Sequence, residues 1–242
     1  MPKDKKNDEV VINLDQFVVP GAIILAGVII AVAIFFSDKK EDKVDNTSPD
    51  NVAGQDDSEY DFADSSTDIG NAPYIGNKDT AKIAIVEYSD YRCGFCQRHT
   101  LETLPLLIEN YVDTGDIIYV FRDFPIYGDD ISNGAKCVFN IEGLDAYKEF
   151  HTNAYNLEGD DAIIDLAVEV GVNEGDFTKC FNDSKYADDI EADKNAGIKA
   201  GVQGTPGFIV GTLDDDGNVT GKFIAGAYPY DAFVEVIDSL LQ

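Results

Sequence analysis

The sequence predicts an α/β fold in which a block of helices interrupts a small sheet. Three observations predict it. Residues 82–89 and 116–123 are strand-length, largely apolar runs, separated by apolar residues at helical spacing (Leu101, Leu104, Leu107, Ile108). Residues 130–200 show helical patterns and no convincing strand. Two more strand-like runs, 206–211 and 221–226, precede a last helical pattern. Strand–helix–strand, helical block, strand–strand–helix is therefore the order, and removing the block leaves a small α/β core.

Each element has its local reason. Residues 82–89 read as a buried strand, and 96–112 as an amphipathic helix kinked at Pro105, whose ring and missing N–H interrupt the ladder. Residues 116–123 form the second strand. Helices are expected at 131–141, 145–155, 162–170, 174–182 and 185–200, making an insertion of about 128–200. The last two strands are joined by Asp214-Asp215-Asp216-Gly217-Asn218, and a helix at 230–241 follows. Asp214, Asp216 and Asn218 imitate the start of a calcium loop. Position twelve of such a loop is Ala225 instead of Glu, so a polar hairpin turn is the reading.

The N-terminal part is of another kind. After a short tail (1–16), residues 17–36 carry no charge and are rich in Ile, Val, Ala and Gly. Twenty helical residues span about 30 Å, one hydrocarbon core, so a transmembrane helix is expected. A cleaved signal peptide ending at Ala31-Val32-Ala33 is the alternative; the apolar stretch is too long for it and continues past the cut. Lysines flank both ends, so charge alone does not orient the helix. Residues 37–69, rich in Asp, Ser, Asn and Thr, read as a flexible acidic linker, with the folded domain at 70–242. The net charge of −28 argues against nucleic acid as a partner, since phosphate binding needs the opposite sign.

Chemistry concentrates at Cys93-Gly94-Phe95-Cys96, where the first strand hands over to the helix. Two thiols one turn apart can close a short disulfide, and a helix N-terminus favours a thiolate at the first. Zinc would require further paired ligands. The chain offers Cys137, Cys180, His99 and His151, and only His99 is near the pair in sequence, so neither a metal nor another cofactor is expected. Gly204-Thr205-Pro206-Gly207 precedes a late strand, and a cis peptide at Thr205–Pro206 would set backbone beside the cysteines. Glu87 interrupts the apolar strand six residues before Cys93. It faces away from Val86, so it is either exposed to solvent or buried beneath the cysteines, where a raised pKa would let it take a proton from Cys96.

The run from Glu87 to Cys96, the later Gly204-Thr205-Pro206-Gly207-Phe208 and the intervening helical block resemble the DsbA-like family of thiol:disulfide oxidoreductases, of thioredoxin-like fold. The resemblance covers about 70–242. It implies a nucleophile at Cys93, a resolving thiol at Cys96, a cis-proline at Pro206 and a buried carboxylate at Glu87. Gly94, Phe95, Thr205 and Pro206 would meet the substrate. Phe95 departs from strongly oxidising members, which carry His there, so the site is expected to be a milder oxidant with its thiolate held mainly by the helix terminus.

The implied activity is donation of a disulfide to exported proteins with free thiols. The enzyme would be tethered to the cell membrane with its domain outside the cytoplasm and reoxidised by a membrane quinone-linked protein. Cys137 and Cys180, both in the helical block, read as a structural disulfide, with two buried free thiols as the alternative. Two rival functions stay open: the same fold working as a reductase or isomerase, and a non-enzymatic thioredoxin-like binding module.

Overall fold

The computed structural model describes residues 60–242. The predicted anchor at 17–36, and the linker up to residue 59, lie outside the described residues. The strands are β1 (Asp64–Asp68), β2 (Tyr74–Ile75), β3 (Ile83–Ser89), β4 (Ile117–Asp123), β5 (Gly207–Leu213) and β6 (Asn218–Ala225). They form one mixed sheet in the order β1-β6-β5-β3-β4-β2. Among the described strands only β3 and β4 pair in parallel, joined by the helical crossover that parallel neighbours require.

That crossover, α1, runs from Gly94 to Val112 in four parts. Two wide π turns, His99–Thr103 and Ile108–Val112, flank the short α-helical piece Leu104–Leu107. Pro105 opens that piece, where it needs to donate no hydrogen bond, so the widened turn before it absorbs the expected kink. The remaining helices are α2 (Asp130–Glu142), α3 (Leu144–Asn153), α4 (Asp160–Glu169), α5 (Glu174–Asn182), α6 (Ala187–Lys199) and α7 (Tyr230–Leu240).

Alternation along β3 and β4 feeds two cores. Ile83, Ile85, Ile117, Tyr119 and Phe121 point to the side covered by α1, α7 and helices α2–α5. Ala84, Val86, Tyr88, Ile118 and Val120 point to the other side, where Phe124, Ala200 and Val202 cover them. At about 25 cal/mol per Å² of apolar surface, each fully buried Ile or Phe contributes about 2 kcal/mol. Helix α6 contacts β1, β3 and β4. It comes this close through Gly197, where a Cβ would stand 2.8 Å from both Tyr88 and Phe124. The helical block is therefore shorter than expected: its last helix belongs to the sheet and the insertion is α2–α5. Within that insertion Cys137 of α2 is bonded to Cys180 of α5.

The folded part also starts earlier than the expected boundary at residue 70. Residues 64–68 form an edge strand against β6 instead of linker. Polar groups hold it: Ser65 Oγ donates to the Ala200 carbonyl at 2.7 Å, and Arg122 Nη1 donates to the Asp68 carbonyl at 2.6 Å. Arg122 is itself in a buried ionic cluster. Its Nε is 2.8 Å from Asp193, and Lys136 Nζ is 2.8 Å from Asp193 and 3.2 Å from Asp123. The turn before β6 is the polar hairpin turn, with Asp214 accepting from the amides of Asp216 and Asn218.

Candidate active site

Cys93 is the residue at which β3 has ended and α1 begins. Its extended backbone (φ −100°, ψ 113°) places it as the N-cap of the helix, and its sulfur accepts from the Cys96 amide at 3.4 Å. The turn before it is fixed by Asp90. That buried carboxylate accepts from the amides of Arg92 (2.8 Å), Ile126 (2.7 Å) and Tyr127 (3.2 Å), tying the loop after β4 to the cysteine turn. The Asp90 carbonyl accepts from the Cys93 amide at 3.0 Å.

Thr205 and Pro206 meet the cysteines from a distant part of the chain. The Thr205–Pro206 peptide is cis, and the Thr205 carbonyl oxygen is 3.3 Å from Cys93 Sγ. Gly94 presents no side chain, and Phe95 is 61% exposed with the Arg98 guanidinium 5.1 Å above its ring. Arg98 in turn donates to the Ala227 carbonyl at 2.9 Å. A cavity of about 370 Å³ opens beside Thr205 and Pro206, bounded by Gln203, Phe223 and Gly226.

The two sulfurs are in opposite electrostatic situations. Cys93 is partly exposed and its thiol is pulled down to about 5, first by the hydrogen bond from the Cys96 thiol, then by Thr205 and the Cys96 and Phe95 amides. The helix terminus expected to dominate is thus the smaller contribution. Cys96 is sealed from solvent, and burial first, then Cys93 and the charge of Glu87, hold it far above the ordinary thiol range.

Glu87 is fully buried. Facing away from Val86 does not bring it to solvent, because both sides of the sheet are covered; it shares the side of Ile85 on which Cys96 packs. Its Oε2 accepts from the Tyr119 hydroxyl at 2.8 Å, and burial raises it from 4.5 to about 7 against the hydrogen bonds of Tyr119 and Ser89. Asp90 and Tyr119 are site residues that sequence reasoning missed, and His99, weighed there only as a metal ligand, instead bonds to Tyr119. An Asp two residues before a turn amide was a usable signal for the first. Tyr119 is opposite Ile85 in the parallel register, two residues from Glu87, and only strand pairing reveals that.

The family model described as Thioredoxin matches residues 68–238. The chain belongs to that family, and within it is similar to DsbA-like proteins of thioredoxin fold. It is 30% identical over 152 residues to a Rickettsia bellii relative named for protein-disulfide oxidoreductase activity, covering 58% of this chain and 57% of that protein. The chain thus spans little more than half the length of that relative. Disulfide bond formation protein D of Bacillus subtilis is 24% identical over 185 residues, covering 72% of this chain and 79% of that protein. Among solved structures, the thiol-disulfide exchange protein alpha-DsbA2 of Wolbachia pipientis superposes with a TM-score of 0.54 at 29% identity, over 70% of this chain and 87% of that one.

Proposed function

We propose that the chain introduces disulfide bonds into exported proteins by dithiol–disulfide exchange at Cys93 and Cys96. The observation that carries this is the asymmetry of the pair: an accessible sulfur pulled down to about 5 beside a buried one held neutral. A substrate thiolate attacks Cys93 of the disulfide form, a mixed disulfide forms, and Cys96 leaves as a thiolate that takes a proton from Glu87. A second substrate thiolate then attacks the substrate sulfur bound to Cys93 and expels Cys93. A low pKa makes Cys93 a good leaving group and favours the reduced enzyme, which drives the transfer toward substrate. In the reverse step Cys96 attacks and Glu87 takes its proton back. Thr205 and Pro206, with the neighbouring cavity, receive the substrate backbone and side chains; Gly94 and Phe95 form the opposite rim.

The proposed setting is the cell membrane, with residues 17–36 as a single-pass anchor and the domain outside the cytoplasm. The uncharged 20-residue stretch supports the anchor, and the Cys137–Cys180 bond suits an oxidising compartment. Exported proteins with free thiols are the substrates, and a membrane quinone-linked protein returns the site to its disulfide form.

Single turnover of the oxidised full chain with a reduced, unfolded two-cysteine substrate tests this. The substrate is expected to gain a disulfide; Cys93→Ser and Cys96→Ser, neither of which can form the Cys93–Cys96 bond, each abolish the transfer. Substrate left reduced at equilibrium would reverse the assigned direction. Full transfer by Cys93→Ser would remove the site.

A further inference from the structure

Glu87 is held by more than burial. Tyr119 on β4 donates to its Oε2 at 2.8 Å, and His99 Nε2, on α1, is 2.9 Å from the same tyrosine oxygen. All three residues are 0% exposed. Glu87 Oε1 and His99 Nδ1 have no hydrogen-bond partner of ordinary geometry among the described residues. Phe208 and Phe233 enclose the imidazole, with ring centroids 4.4 and 5.3 Å away, and burial, then His151, pushes it down to about 3. It is neutral at any working pH.

Proton counting then fixes the direction of the chain. Tyr119 has one hydroxyl proton. While Glu87 is ionised, that proton goes to the carboxylate, so the His99 nitrogen facing Tyr119 must carry its own. The imidazole is the Nε2–H tautomer, with Nδ1 bare.

We propose that Tyr119 and His99 are positioning residues for Glu87, a one-way donor chain that saturates Oε2 and leaves Oε1 as the atom exchanging a proton with Cys96. This rests on the reading of Glu87 as the proton partner of Cys96. The step balances without any further reagent. The Cys96 thiol gives its proton to Oε1, its sulfur bonds to Cys93 Sγ, and the bond from Cys93 to the substrate sulfur breaks, releasing the substrate thiolate. Other titratable groups around Glu87 are Cys93 on α1, Tyr91 before it, and Tyr147 and Tyr155 from the insertion. The tyrosines are buried and stay protonated at neutral pH, and Cys93 is in the mixed disulfide during this step, so Glu87 is the group that sets its pH dependence.

The test is the pH profile of glutathione release from the Cys93–glutathione mixed disulfide of the full chain. Tyr119→Phe and His99→Leu are expected to move the midpoint upward, by about one unit and a smaller amount respectively, as donors to the carboxylate are lost. His99→Gln, which keeps an N–H in place, restores it. A merely structural role would not produce that rescue. Nitrogen-15 NMR of the unaltered protein at about pH 8 to 9, where Glu87 is ionised, should show His99 protonated at Nε2. Unmoved midpoints in both variants, or a proton on Nδ1, would overturn the donor chain while leaving Glu87 in its role. A profile unchanged by Glu87→Gln would instead remove the reading beneath it.

Discussion

The sulfur of Cys93 and the carbonyl oxygen of Thr205 are 3.3 Å apart, across 112 positions of sequence. One contact therefore joins the turn after β3 to the turn before β5, and the accessible thiol is where the two meet. The Thr205 side chain also helps hold that thiol down. Thr205→Val should raise the Cys93 pKa by about one unit, the worth of one hydrogen bond to a charged group. Thiolate absorbance of the reduced protein against pH checks it; an unchanged titration would assign the stabilisation to α1 alone.

Burial of Glu87 gives stability a definite pH dependence. An acid whose pKa rises from 4.5 to about 7 on folding binds its proton more tightly in the native state. Stability is therefore greatest below the unfolded value and is lost as pH rises through the folded one. The loss is about 3 kcal/mol for a shift of that size. Glu87→Gln should accordingly be more stable than the parent above pH 7, by up to about 3 kcal/mol, and no more stable near pH 4. Denaturant melts at both pH values measure it.

The Cys137–Cys180 bond closes a loop with a sequence separation of 43 inside the helical insertion. In the chain-entropy model such a loop contributes about 4 kcal/mol. Replacing both cysteines by Ala should lower unfolding free energy by roughly that amount. Thiolate titration at Cys93 should be unaffected, because the bond joins α2 and α5 and neither carries the site.

Asp193 is 4% exposed and bridges two buried cations, Arg122 and Lys136. Removing it leaves both facing too little negative charge. Asp193→Ala is expected to cost about 3–5 kcal/mol, far more than a surface carboxylate. Equilibrium unfolding measures the loss, and a value below about 1 kcal/mol would show that the cluster is solvated.

Local pattern made the cysteine turn, β3, β4 and most helices legible, because each is announced by its own spacing of apolar residues. The strand Asp64–Asp68 was not, since Asp-Ser-Ser-Thr-Asp has no apolar residue and is held by backbone pairing, Ser65 and Arg122. Alternation gave the facing of Glu87 correctly relative to Val86. It could not say that the far side was covered, because that cover comes from helices distant in sequence. The same limit hid the Tyr119 and His99 partnership, which exists only once β3 and β4 are in register and α1 lies over them. The Cys96 side-chain contribution at Cys93 depends on how the first turn of α1 sets the two sulfurs against each other, which spacing alone does not show.

The most direct measurement is the reduction potential of the Cys93–Cys96 pair in the full chain, by equilibration with glutathione buffers at pH 7. A thiolate pulled down to about 5 stabilises the reduced form, so the pair should be more oxidising than thioredoxin, above about −270 mV. A value at or below about −270 mV would contradict the account, because the pair would then withdraw disulfides from substrates instead of supplying them.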